Sequence, residues 1–213
     1  MKTMNFYDFD CEMIEEIFGL SRKRNTEVLQ KWIDLSKNYE IDEFENKYLL
    51  RLIDTLIDRV DTWNERELLE HFIAPVFSII NFNASDWGFF SERTLTATVN
   101  DIILTGKPDA IIAKGKYSPK IPYFCFHEYK KEQDTKGDPK GQCLAEMLAA
   151  QELNNNGKPI FGVVVKGQMW YFMVLQGKEY AISNAYKATD EELFEIVKLL
   201  KHLNTIIEEY VKS

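Results

Sequence analysis

The sequence predicts a mixed α/β fold of the α+β kind, in which helices flank a mixed central sheet and a helical N-terminal extension comes first. Three observations lead there. Apolar residues recur at three- and four-residue steps through most of the first 80 positions, the period of helices that bury one face. Between residues 89 and 130 the pattern changes to short β-branched and aromatic runs separated by turn signals. A Leu/Ala/Met-rich helix then parts these runs from a second group, an order that lays helices on a sheet.

Taken in order, residues 1–62 read as three amphipathic helices, over 10–18, 26–37 and 42–60. In the third, Leu49, Leu52, Ile53, Leu56, Ile57 and Val60 mark one buried stripe. We take 1–62 as the extension and 63–213 as the main domain. A further helix is expected over 64–79, with Asn64 as N-cap, Leu69, Phe72, Ile73, Val76 and Ile80 on its core face, and Pro75 as the source of a kink. Strand-like runs follow at 89–99, 101–105, 110–114 and 121–130, and at least three adjacent antiparallel strands are the natural reading. Asp138-Pro139 supplies an N-cap followed by proline at the first helical position, opening a helix that stops at Asn154-Asn155-Asn156-Gly157. Three more strands are expected at 160–166, 169–175 and 180–182, the first two joined by a tight turn at Lys166-Gly167-Gln168. A last amphipathic helix covers 190–211.

A chain of 213 residues suits one domain, and 45% hydrophobic with 28% charged residues is an ordinary globular composition that excludes collagenous and low-complexity classes. Cys11, Cys125 and Cys143 are widely spaced and give neither a disulfide framework nor a CxxC pair, so a reducing, cytoplasmic compartment is expected. No run approaches 18 apolar residues and the start turns acidic early, so neither a membrane span nor a secretory leader is expected. The net charge of −8 argues against a protein that coats nucleic acid through bulk electrostatics. That charge is unevenly spread. Residues 105–140 carry eight lysines (107, 114, 116, 120, 130, 131, 136, 140) against five acids, and Arg22-Lys23-Arg24 forms a second basic cluster.

Phosphate-loop, dinucleotide, serine-hydrolase and zinc-protease signatures are all missing, and His71, His127 and His202 are too scattered to propose a zinc site. What remains is acidic. Asp109 precedes one expected strand, and the next strand ends His127-Glu128-Tyr129-Lys130. Side chains two apart on a strand share a face, so Glu128 and Lys130 continue a face begun by Phe124 and Phe126, while Tyr123, Cys125, His127 and Tyr129 take the other. A connection symmetric about residues 114 and 121 makes paired numbers sum to about 235, which puts Asp109 diagonal to Glu128; a two-residue shift puts it directly opposite. Either register leaves the two carboxylates on one face within about 5–8 Å. Such a pair repels unless a cation or a shared proton compensates, and oxygen ligands favour Mg²⁺ or Mn²⁺. Glu128 and Lys130 alone read as readily as a surface ion pair; Asp109 on the neighbouring strand reverses that preference.

With Pro108-Asp109, Glu128-x-Lys130 on the next strand and a following helix carrying Gln142, the chain resembles the PD-(D/E)XK nuclease superfamily, whose fold is restriction-endonuclease-like. Asn64-Glu65 with Pro75, and the later Gly162 and Gly167-Gln168-Met169-Trp170-Tyr171-Phe172, make it similar to the nuclease domains that begin type I restriction enzyme motor subunits and to their stand-alone relatives. The resemblance spans roughly residues 64–176 and implies that Asp109, Glu128 and the Tyr129 backbone carbonyl hold Mg²⁺ (or Mn²⁺), while Lys130 positions the attacking water. Glu65 matches the acid of the family's first helix, with Glu70 as its rival, and Gln142 matches the glutamine after the catalytic strand. Gln142 taken alone reads equally well as a solvated helix-end residue. The implied activity is metal-dependent endonuclease cleavage of DNA in defence or DNA processing, with nucleic acid as partner, a homodimer to cut both strands, and no membrane. A silent nuclease-fold binding or assembly module and an RNA-acting nuclease are the alternatives.

Overall fold

The computed structural model describes residues 2–135 and 137–212; Lys136 of the basic segment lies outside the described residues. The N-terminal segment is helical where expected and also contributes two strands: β1 (Lys2–Asn5), α1 (Cys11–Phe18), β2 (Ser21–Lys23), α2 (Glu27–Ser36) and α3 (Glu43–Arg59). Side-chain caps start these helices: Asp10 accepts from the Met13 N–H, Thr26 from Leu29, and Asp42 from Glu45 in a reciprocal capping box. The expected helix after Asn64 forms in three parts, α4 (Glu65–Leu68), a π-helical turn over Leu69–Ile73, and α5 (Ala74–Ile80). Pro75 has no N–H to donate and its ring crowds the preceding turn, so the strain is taken up in the wider turn just before it, where the Ala74 N–H reaches back to Leu69 O.

Next come β3 (Trp87–Ser91), β4 (Leu95–Val99), β5 (Ile102–Gly106), β6 (Ala110–Lys114) and β7 (Lys120–Lys130). The run expected at 89–99 is therefore two strands. Glu92, with φ of 51°, turns the chain between them and they enter different sheets. After β7 follow α6 (Pro139–Asn154), β8 (Ile160–Lys166), β9 (Met169–Gln176), β10 (Glu179–Ile182), the short β11 (Tyr186–Lys187) and α7 (Glu192–Lys212). Asp138 caps α6 and Asn155, at φ 43°, closes it in the left-handed conformation.

The main sheet runs β2-β10-β9-β8-β7-β6-β3, with β11 added to β9, and a small sheet runs β1-β5-β4. β7 and β8 are parallel and joined through α6, whereas β6 to β7 and β8 to β9 are antiparallel, so the fold is mixed α/β with flanking helices. β7 lies between two partners and is covered on both sides. Leu29, Trp32, Leu56, Phe72, Val163, Phe172 and Leu200 belong to the core on one face, under α2, α3, α5 and α7. Phe6, Leu104, Phe126, Leu144, Leu148 and Met173 belong to the other, under α6 and the small sheet. Gly141 lets this second layer close up: a methyl group there would stand 2.4 Å from the Asp10 Cα. Among the described residues, no helix is long and apolar enough to cross a membrane.

Within β7 the expected alternation holds only from Cys125 onward. A bulge between the Ala113–Tyr123 and Ile112–Cys125 pairs inserts Phe124, which packs into the α2/α7-side core, not on the Glu128 face. Tyr123 moves to the α6 side for the same reason.

Candidate functional site

At one end of the main sheet, β6 starts beside the last residues of β7. Ala110 pairs with His127, Ile111 with Phe126 and Ile112 with Cys125. One residue further, this register sets Asp109 opposite Glu128, the shifted alternative of the two that the sequence allows. At the far end Lys114 faces Lys120, and the irregular pairs between spend additional β7 residues before Cys125, which moves the register toward direct opposition.

Asp109 is held from two sides. Its main-chain oxygen accepts from the Glu92 N–H at 3.2 Å, and its Oδ2 accepts from the Tyr129 N–H at 2.7 Å. On a strand the N–H and C=O of one residue point to the same neighbour, so the Tyr129 carbonyl faces the Asp109 side. The next carbonyl, of Lys130, points the other way and accepts from Gly167 N at 2.8 Å. Glu128 is fully buried, and its Oε1 accepts from Lys130 Nζ at 2.7 Å. The same ammonium lies 3.6 Å from Oε2 of Glu65, the first residue of α4. Glu70, the rival acid, is tied instead to Arg66 at 2.7 Å. Glu65, Asp109, Glu128 and Lys130 thus come together from α4 and two strands. Gln142, in the first turn of α6, is not hydrogen-bonded to any of the four.

The electrostatics are those of a carboxylate-rich compartment. Burial pushes the Asp109 carboxyl up to about 6, against the pull of the Tyr129 N–H and the Lys130 ammonium. Burial and then the Asp109 charge push Glu128 up to about 8, again opposed by Lys130. For Lys130 the desolvation cost acts downward, but the Glu128 contact with help from Glu65 and Asp109 outweighs it, and the ammonium is held above its ordinary value. On the back of β7, His127 sits in a cage of Phe77, Phe82 and Phe89 with its Nδ1 3.1 Å from the Tyr129 hydroxyl; burial pulls its pKa down to about 3 and keeps it neutral.

One acid escaped the sequence reading. Glu146, four residues after Gln142 on α6, is fully buried, and neither of its oxygens has a hydrogen-bond partner among the described residues. The Gln142 amide favours its anion without reaching hydrogen-bonding geometry, while burial and the charges of Glu128 and Asp109 push its carboxyl far up. Its signal was available: it is the single charged residue between Lys140 and Glu152 in an otherwise apolar helix.

The two basic segments meet beside these acids. Lys166 is the β8 partner of Lys130, and Lys140 places Nζ 3.6 Å above the Tyr171 ring. The pKa of Lys140 is lowered by burial and, against the pull of Asp138, by its neighbours Arg22 and Lys166. Lys23 is occupied by Glu179 at 3.1 Å.

As a cation site the donors are hard oxygens: the Asp109 and Glu128 carboxylates and the Tyr129 carbonyl, with Glu128 Oε2 buried and unpartnered. That donor set fits Mg²⁺ or Mn²⁺ in chemistry, although among the described residues no three His, Cys, Asp or Glu side chains gather as a complete metal cage. No protein-family model matches the chain, and no curated protein does.

Proposed function

We propose that the protein is a Mg²⁺- or Mn²⁺-dependent phosphodiesterase that cleaves DNA, on a fold of the PD-(D/E)XK type. The observation that carries this reading is the placement of Asp109 opposite Glu128 with Lys130 bonded to the second carboxylate and in reach of Glu65. An ion pair serving stability alone has little use for a second acid across the strand, because each added carboxylate raises the cost of burial. In this reading Asp109, Glu128 and the Tyr129 carbonyl hold the cation. When bound, the metal supplies Lewis acidity to the scissile phosphate and lowers the pKa of a coordinated water. Lys130 orients the attacking water and offsets the growing negative charge on phosphorus-bound oxygen, and Glu65 holds the ammonium from the solvent side. Two sites in a homodimer would cut both strands. The three unpaired cysteines accord with the cytoplasmic compartment that belongs to this proposal.

A polyanionic substrate is supported by Arg22, Lys140 and Lys166, which extend the positive charge of Lys130 along one side of the site. Replacing Lys140 and Lys166 together by alanine is expected to weaken oligonucleotide binding, measured by fluorescence anisotropy across a salt series, and to reduce the slope of log affinity against log salt by about 1–2. An unchanged slope would remove these residues from the binding surface. The function itself is tested by incubating supercoiled and linear DNA with wild-type protein and Mg²⁺ or Mn²⁺. Metal-dependent nicking or linearisation supports the reading, and intact DNA with no metal-induced rise in Tm sinks it.

A further inference from the structure

We infer that Glu146 supports the cation site from the α6 side and sets its metal affinity without completing its ligand set; the inference rests on the metal-dependent reading above. Among the described residues, three carboxylate oxygens lie buried without a partner where α6 packs against β7: both oxygens of Glu146 and Oε2 of Glu128. Neighbouring acids are treated differently. Asp109 has the Tyr129 N–H, and Glu128 Oε1 has the Lys130 ammonium. A buried acid kept for structure is normally supplied with donors, since an unpaired one costs several times what a hydrogen bond returns. Glu146 has none, and the helix around it is built from Cys143, Leu144, Ala145, Met147 and Leu148, all buried, so an apolar residue would serve packing better.

The groups that act on Glu146 are those of the site. Glu128 is its leading charged neighbour, followed by Asp109, with Lys130 the cation that opposes them. Lys130 is the cation that acts on Glu65, Asp109, Glu128 and Glu146, and a bound divalent cation would favour the anionic forms of the three buried acids against the burial that opposes them. The described side chains do not converge as a three-carboxylate cage, so the assignment concerns the affinity of the site for its cation, with Glu146 in a supporting position.

The test is Mn²⁺ titration by calorimetry, with the Mn²⁺-induced rise in Tm as a second readout, on wild type, Glu146→Gln and Asp109→Ala. Glu146→Gln is expected to weaken Mn²⁺ binding at least tenfold and to shrink the Tm rise, while the metal-free variant melts at or above the wild-type temperature because a buried acid has been removed. Glu146→Met repeats the measurement with an apolar side chain of similar length should the amide variant unfold. Wild-type Mn²⁺ binding that is lost in Asp109→Ala but kept within twofold in the Glu146 variants would overturn this inference alone. Wild type that binds no Mn²⁺ at millimolar concentration would overturn it together with the nuclease reading.

Discussion

Substituting methionine for Lys130 is expected, on the proposed nuclease reading, to lower metal-dependent DNA cleavage by about 10²–10³-fold, the usual cost of removing one donor from a reacting oxygen. Two losses combine. In the proposed reaction the ammonium that orients the attacking water is gone, and Glu128 Oε1 loses its 2.7 Å partner. Glu128, already pushed up to about 8 by burial and Asp109, then favours its neutral form still more and becomes a poorer cation ligand. The loss should therefore be largest at low pH, with the acidic limb of the rate profile displaced to higher pH relative to wild type. Methionine preserves the apolar stem, so the circular dichroism spectrum should be unchanged. Cleavage within threefold of wild type across the profile would remove Lys130 from the chemistry and leave it an ion-pair partner.

A second expected result concerns stability without metal: Tm falls as pH rises from about 5 to 8.5, and saturating Mn²⁺ flattens the fall. Asp109, Glu128 and Glu146 all have folded-state pKa values raised above those of the unfolded chain. Each binds its proton more tightly when folded, so its stabilising contribution is complete below the ordinary carboxylate range and is lost as pH climbs through the folded value. Asp109, raised from 3.8 to about 6, accounts for about 3 kcal/mol over its whole titration and for about 1.4 kcal/mol between pH 5 and 8.5. For a chain of this length the latter is about 3–6 °C, and Glu128 adds to it toward about pH 8. Scanning calorimetry in chelator across this pH range checks the slope. A Tm that rises with pH over the same interval would contradict the buried-carboxylate account.

Much of this architecture was legible because it depends on short-range rules. The capped helices at Asp10, Thr26, Asp42 and Asn64 and the tight turn after Lys166 are written in a few adjacent residues. The shared face of Glu128 and Lys130 follows from the two-residue period of a strand. What escaped depends on partners far away in sequence. β1 and β2 are too short to show alternation and exist because β5 and β10 accept them. The Phe124 bulge reflects pairing with β6 and left the register open by two residues until both strands were in place. Glu146 is one charge among apolar residues in the sequence, and only the packing of α6 onto the sheet shows that it is buried along with its neighbours from Cys143 to Ala150.

The threading of the N-terminal segment through both sheets also sets a timetable for synthesis. The Trp32 indole donates to Leu199 O across 167 positions, and β2 has no partner until β10 emerges. At about 5–20 residues per second, a ribosome leaves Leu29 and Trp32 without their final cover for about 8–30 s. During that interval the nascent chain presents an amphipathic helix with an aromatic on its apolar side, the kind of surface that holding chaperones shield, and α7 releases it by completing the layer.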